Sequence, residues 1–187
     1  MRLVAATKIR AALAAAALLS CGGNPRSPAI ELPRASALGP PLRFRYQTID
    51  GRQLSTESLI NRVTLLGFLT TYDVHSQAEA RLLGAIERHH TPRINVAALM
   101  LEAPENLPLV EAFVSSLGIG FPVAIADAAT IAGEGPFAGL HHVPSVVVLD
   151  RAGREAWRHV GFVSEAALDA AVRAVEAASP APVEYVE

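Results

Sequence analysis

Few residues in this chain are equipped for chemistry. Its 187 residues contain one cysteine, Cys21, and six histidines. Dithiol exchange needs one thiolate to attack a disulfide and a second thiol to resolve the mixed species. A single cysteine supplies neither that pair nor an internal disulfide. The other reactive side chains gather in two short segments, Tyr72-Asp73-Val74-His75-Ser76 and His141-His142-Val143-Pro144-Ser145. A carboxylate with two or three imidazoles is a donor set for zinc or copper. Asp73, His75, His141 and His142 are the candidates. The same groups suit general-base chemistry, with His75 or His142 as the base and Ser76 or Ser145 as the available hydroxyl. Either use requires the fold to bring the two segments together. His89, His90 and His159 read as solvent-facing, the first two well placed for a helix dipole. No phosphate loop, nucleotide fingerprint or paired-carboxylate glycosidase pattern occurs, so no cofactor is expected. A net charge of −2 argues against a nucleic-acid partner.

The amino terminus predicts export. Arg2, Lys8 and Arg10 precede the apolar run Ala11 to Leu19. A basic start and a short apolar stretch mark a signal peptide, here residues 1–20. The run is shorter than the roughly 20 residues a bilayer span needs. Leu18-Leu19-Ser20-Cys21 resembles a bacterial lipobox, which makes Cys21 the lipidation site. Several acyl chains would then hold the protein to a membrane, each buried methylene contributing about 0.8 kcal/mol. Gly22, rather than Asp, follows the cysteine and points to the outer membrane. Residues 21–41 are rich in proline and glycine and form the lipidated cysteine and a tether. Residues 179–187 read as a frayed tail.

Between tether and tail, one domain is expected over residues 42–178. Leu42 to Ile49 alternates apolar and polar and predicts a half-buried strand, closed by the Asp50-Gly51 turn. Val63 to Leu69, Ile94 to Leu101 and Val146 to Leu149 are apolar runs typical of strands covered on both faces. Ser76 to His90 and Asn106 to Leu117 predict helices, the second stopped by Gly118. Pro122 to Ala126 is a short strand. Glu155 to Val160 returns after the Asp150–Gly153 turn as a hairpin partner. Ser164 N-caps a last helix ending about Ala178. Strands alternating with helices predict an α/β fold. Its central mixed sheet would have a parallel centre, an antiparallel edge and helices on both faces.

Three segments in this order resemble the thioredoxin-like proteins of the TlpA/ResA and redoxin group. They are Val63 to Tyr72, Val143 to Asp150, and Asp150 to Glu155 with Val160-Gly161-Phe162. The resemblance spans about residues 42 to 178 and implies a thioredoxin-like fold. It also implies a cis proline at Pro144 and an exported, membrane-tethered setting. Where that family has W-C-x-x-C, this chain has Tyr72-Asp73-Val74-His75-Ser76. Asp73 and Ser76 thus hold the degenerate active-site positions, and no catalytic residue is assigned. Asp73 puts a fixed negative charge where a thiolate would sit, and it can N-cap the helix. Ser76 with Glu79 is an alternative capping box.

The function expected on these grounds is a redox-inactive, periplasm-facing lipoprotein that binds a peptide or protein. Its binding groove would run between Tyr72, Val74 and His75 on one side and His142, Val143, Pro144 and Ser145 on the other. Metal handling through Asp73, His75 and His141 or His142 is the first alternative. A thiol-independent enzyme is another. A thioredoxin-type oxidoreductase follows from the resemblance alone and lacks its cysteines.

Overall fold

The computed structural model describes residues 38–179. The expected signal peptide, the lipidation site Cys21, most of the tether and the tail after Ser179 lie outside the described residues. A five-stranded sheet forms the centre, in the order β5 (Val123–Ile125), β4 (Ile94–Met100), β3 (Val63–Leu69), β6 (Ser145–Leu149), β7 (Glu155–Val160). β3, β4 and β5 run parallel, while β6 and β7 are antiparallel additions. This is the mixed sheet expected from the order of apolar runs.

The apolar runs are continuous because both sheet faces are buried. In β3, Val63, Leu65 and Leu69 enter one core while Leu66 and Phe68 enter the other. β4 divides the same way, with Val96, Ala98 and Met100 opposed to Ala97 and Leu99. A period of two along the strand produces this split. Burying each such Val, Leu or Phe stabilises the fold by about 1.5–3 kcal/mol.

Helices flank both faces, but unequally. α2 (Val74–His90), α3 (Leu107–Leu117) and α5 (Glu165–Ala178) send Leu82, Leu83, Ile86, Val110, Phe113, Leu168, Val172 and Val175 into one core. α2 and α3 join successive parallel strands stepping toward the same edge, and right-handed crossovers put both on one side. The other face is closed by Phe44, Tyr46, Leu54, Phe137 and Leu140, with the single-turn helices α1 (Thr56–Leu59) and α4 (Ala128–Ile131) alongside. At Gly67 the helix and sheet come so close that an added Cβ would collide with the buried Leu83 side chain.

The first expected strand departs from the sequence reading. It shortens to β1 (Arg45–Gln47) and pairs with β2 (Gln53–Ser55) in a separate two-stranded ribbon. The reason lies in the turn. Thr48 Oγ1 donates to Asp50 Oδ1 at 2.5 Å, and Gly51 takes a φ of +83°, so the chain doubles back on itself. The ribbon hydrogen-bonds to the main sheet at the β5 edge, where Ile49 N–H donates to Val123 O at 2.9 Å, and packs Tyr46 and Leu54 over the sheet face. α5 is N-capped by Ser164, and α3 ends at Gly118 in the left-handed region, both as the residue types require.

Candidate functional site

Register brings the two chemically loaded segments to one end of the sheet. Leu69, at the end of β3, pairs with Met100 of β4, and Phe68 lies opposite Ser145 at the start of β6. The turn over residues 70–73 and the loop over residues 141–144 therefore share the carboxyl end of the parallel strands. Open α/β sheets bind their ligands at that end.

Asp73 is the N-cap of α2. Its Oδ2 accepts from Ser76 N–H at 2.7 Å and from Ser76 Oγ at 2.9 Å. Ser76 Oγ in turn accepts from Thr70 N–H at 3.2 Å. The helix thus starts two residues before the expected Ser76, because Asp73 holds the first turn and the Ser76–Glu79 capping box is not used. Burial alone would raise the Asp73 carboxyl pKa. The hydrogen bonds from the Ser76 hydroxyl and amide and from His75 hold it below the usual carboxylate range instead.

Ser76 is fully buried and its hydroxyl is fully engaged. Ser145 is also fully buried, and its Oγ donates to His142 O at 2.7 Å. Neither hydroxyl is presented to a substrate. The two serines that the general-base reading offered are structural.

His75 and the loop histidines occupy different neighbourhoods. His75 Nδ1 lies 3.5 Å from Asp73 Oδ1, with its ring mostly in solvent. His141 and His142 pair with each other, ring centroids 4.4 Å apart, and the His141 ring lies against Gly133. Among the described residues, the histidines and carboxylates whose ligand atoms lie within 4.8 Å of one another are His89, His90 and Asp169. Asp73, His75, His141 and His142 form no such group.

Large apolar side chains are exposed at this end beside those polar groups. Tyr72 and Val74 are 75% and 73% exposed, and Val160 and Phe162 are each 49% exposed. The Val143–Pro144 bond is cis, and Pro144 O accepts from Gly161 N–H at 2.8 Å. That bond places the Val160–Phe162 corner beside the proline. Buried Glu102 ties the other flank. Its Oε1 accepts a short hydrogen bond from Thr71 N–H, and its Oε2 accepts from Asn106 Nδ2 at 3.1 Å. Asn106 leads into the start of α3, which exposes Leu107 and Leu109. Among the described residues, six of the seven exposed large apolar side chains therefore lie at this one end (Ile60 is the exception).

Beneath the platform sits Glu79, fully buried on the apolar stripe of α2. Its Oε2 accepts from Val163 N–H at 3.3 Å, while its Oε1 and the buried Thr70 Oγ1 have no partner among the described residues. Burial pushes this carboxyl up to about 7, against the lowering effect of the Val163 amide. The sequence carried a sign of it, since Glu79 stands three and four residues before Leu82 and Leu83 on the same helical stripe. His90 was legible the same way, four residues after Ile86, and its expected exposure is corrected: it is fully buried. Nothing in the local sequence marks Glu102, whose partners lie on separate elements.

No protein-family model matches the chain, and no curated protein matches its sequence. Solved structures do match. A DsbF homologue from Corynebacterium diphtheriae aligns with a TM-score of 0.68 at 16% identity, over 81% of this chain and 96% of that one. A secreted thiol-disulfide isomerase from Corynebacterium glutamicum aligns with a TM-score of 0.66 at 19% identity, over 82% and 95%. A thiol:disulfide interchange protein of the thioredoxin family from Chlorobium tepidum aligns at 0.62 and 23% identity, over 74% and 96%. At these identities the likeness is one of architecture: the chain has the thioredoxin-like fold of these disulfide oxidoreductases, and its sequence holds one cysteine.

Proposed function

We propose that this chain is a redox-inactive thioredoxin-like module that binds an extended segment of a peptide or protein at the carboxyl end of its sheet. The reading places it in the bacterial cell envelope, facing the periplasm and held at the outer membrane through acylated Cys21. The observation that carries it is the apolar platform of Tyr72, Val74, Val160 and Phe162 around the Val143–Pro144 loop. Large apolar side chains exposed together on one face mark interaction sites. The Val143 backbone N–H and C=O make no hydrogen bond with the described residues, which leaves them able to pair with an extended chain, as in strand addition. Tyr72 and Phe162 supply area for alternate side chains of that segment. Asp73, the ionised N-cap of α2, and His75 set the polarity of the rim.

An unfolded, cysteine-free polypeptide is a suitable probe for titration against the protein. Tyr72→Ser with His142→Ala is expected to weaken its binding at least about tenfold, the loss of roughly 1.4 kcal/mol or more, as for interface aromatics. The urea midpoint should stay unchanged, because both side chains are exposed. Unaltered binding by the double variant refutes the reading.

Metal handling at Asp73, His75 and His141 or His142 has less support. Asp73 and His75 approach each other at 3.5 Å, while the loop histidines pair with one another, their rings tilted by 48°. The oxidoreductase reading has the fold in its favour and no thiol pair to act with.

A further inference from the structure

A second cluster lies between the last turn of α2 and the outer side of α5, away from the apolar platform. His90 is fully buried there, with Nε2 2.7 Å from Asp169 Oδ1. Its Nδ1 lies 3.1 Å from Arg93 Nη2 and 3.5 Å from Glu176 Oε2. The His89 ring stands edge-on to His90 with centroids 5.3 Å apart, at the mouth of an open cleft of about 420 Å³ that Glu165 and Asp169 also line. A nitrogen from each histidine and an oxygen from Asp169 all lie within 4.8 Å of one another.

We propose that His89, His90 and Asp169 form a divalent transition-metal site, suited to Zn²⁺ or Cu²⁺. Two imidazoles and one carboxylate are the borderline donors such ions take, leaving a fourth position for water. Tetrahedral ligands at about 2.0 Å from zinc are roughly 3.3 Å apart, so small side-chain shifts close the set. His90 Nε2 moves slightly away from Asp169, and His89 swings in.

Two further features fit a metal. Binding through His90 Nε2 requires the ring proton on Nδ1, and Glu176 Oε2 already faces Nδ1 to accept it. Carboxylate partners of this kind orient metal-bound histidines. Arg93, which now faces Nδ1, is largely exposed and free to turn away. In addition, a cation already occupies the ligand side of Asp169. Arg173 Nε binds Asp169 Oδ2 at 2.8 Å, and its Nη2 reaches His89 Nε2 at 3.5 Å. Arg173 is mostly in solvent and is displaceable. It is the competitor a metal would replace.

The test is titration of zinc into the full chain in a Cys21→Ser background, which removes the thiol. One zinc per chain is expected at micromolar affinity or tighter. His89→Ala, at an exposed residue, and Asp169→Asn should each weaken it at least about tenfold. Arg173→Gln should tighten it severalfold by removing the competing guanidinium, whereas a purely structural cluster would show no gain. His75→Ala and His142→Ala should leave it unchanged. Absence of saturable zinc uptake, indifference to His89→Ala, loss of affinity in Arg173→Gln, or loss on His75→Ala each overturns the assignment.

Discussion

Two carboxylates near the apolar platform show how burial decides what a residue does. Asp73 sits at the mouth of a helix, receives the Ser76 amide and hydroxyl, and stays ionised. Asp73→Ala removes the cap and strands a buried hydroxyl, and should cost about 1–3 kcal/mol in urea unfolding, with Asp73→Asn recovering most of it. Glu79 lies nearly two turns further into the same helix, in the core. With its carboxyl pushed from 4.5 to about 7, the folded chain holds a proton that the unfolded chain has released across that interval. Stability therefore falls as pH rises from about 4.5 to 7, by about 3 kcal/mol in all. Below that window the carboxyl is neutral in both states and the penalty vanishes. Glu79→Gln should be the more stable form at pH 8 and should lose that advantage near pH 4. Urea midpoints measured across pH would show it, and parallel profiles for the two proteins would rule it out.

At the scale of elements, α2 packs directly onto β3 at a glycine. Gly67 lies under Leu83, and both are enclosed. Gly67→Ala should destabilise by about 1–3 kcal/mol as an overpacked core site. Adding Leu83→Ala should recover part of that loss, giving a coupling in a double-mutant cycle that independent sites would not show. The same helix start offers a test of the family resemblance. Asp73 at the N-cap and Ser76 three residues on share one turn, joined by two hydrogen bonds. Asp73→Cys with Ser76→Cys should confer disulfide reduction on a model substrate, since a thiol at a helix amino terminus has a lowered pKa. Neither single variant should do so, and an inert double variant would show that the resemblance does not extend to this turn.

For the molecule as a whole, the exposed apolar side chains and the buried histidine lie at opposite ends of α2. One end gathers the exposed apolar side chains, held together by Glu102 and by the Pro144–Gly161 hydrogen bond. Glu102→Gln should therefore weaken probe binding through a displaced Tyr72 turn, without touching the probe itself. The histidine cluster lies at the far end of α2, so the proposed metal site and the proposed binding platform can be assayed independently. Among the described residues no helix is long and apolar enough to cross a membrane. In the proposed setting, the attachment rests on Cys21, and the intervening tether would let the domain reach up to about 60 Å from the surface.

The sequence by itself determined the sheet, because runs such as Val63 to Leu69 can be buried only between two layers. It also determined the helices, through the apolar stripe of α2 and the caps at Ser164 and Gly118. It excluded dithiol chemistry, since one cysteine cannot make a pair. The alternation and the Asp50-Gly51 turn marked β1, but its partner β2 escaped it, because a three-residue strand is too short for periodicity to show. Only the tertiary structure decided which polar residues would be buried. Glu79 and His90 occupy stripe positions that a sequence shows, but their burial depends on α5 and the Phe162–Val163 corner, which are distant in the chain. Glu102 gains its role only when β3 and β4 align in register. The two histidine groups were separated for the same reason: residues close in sequence share an element, but ligand atoms meet only where packed elements bring them together.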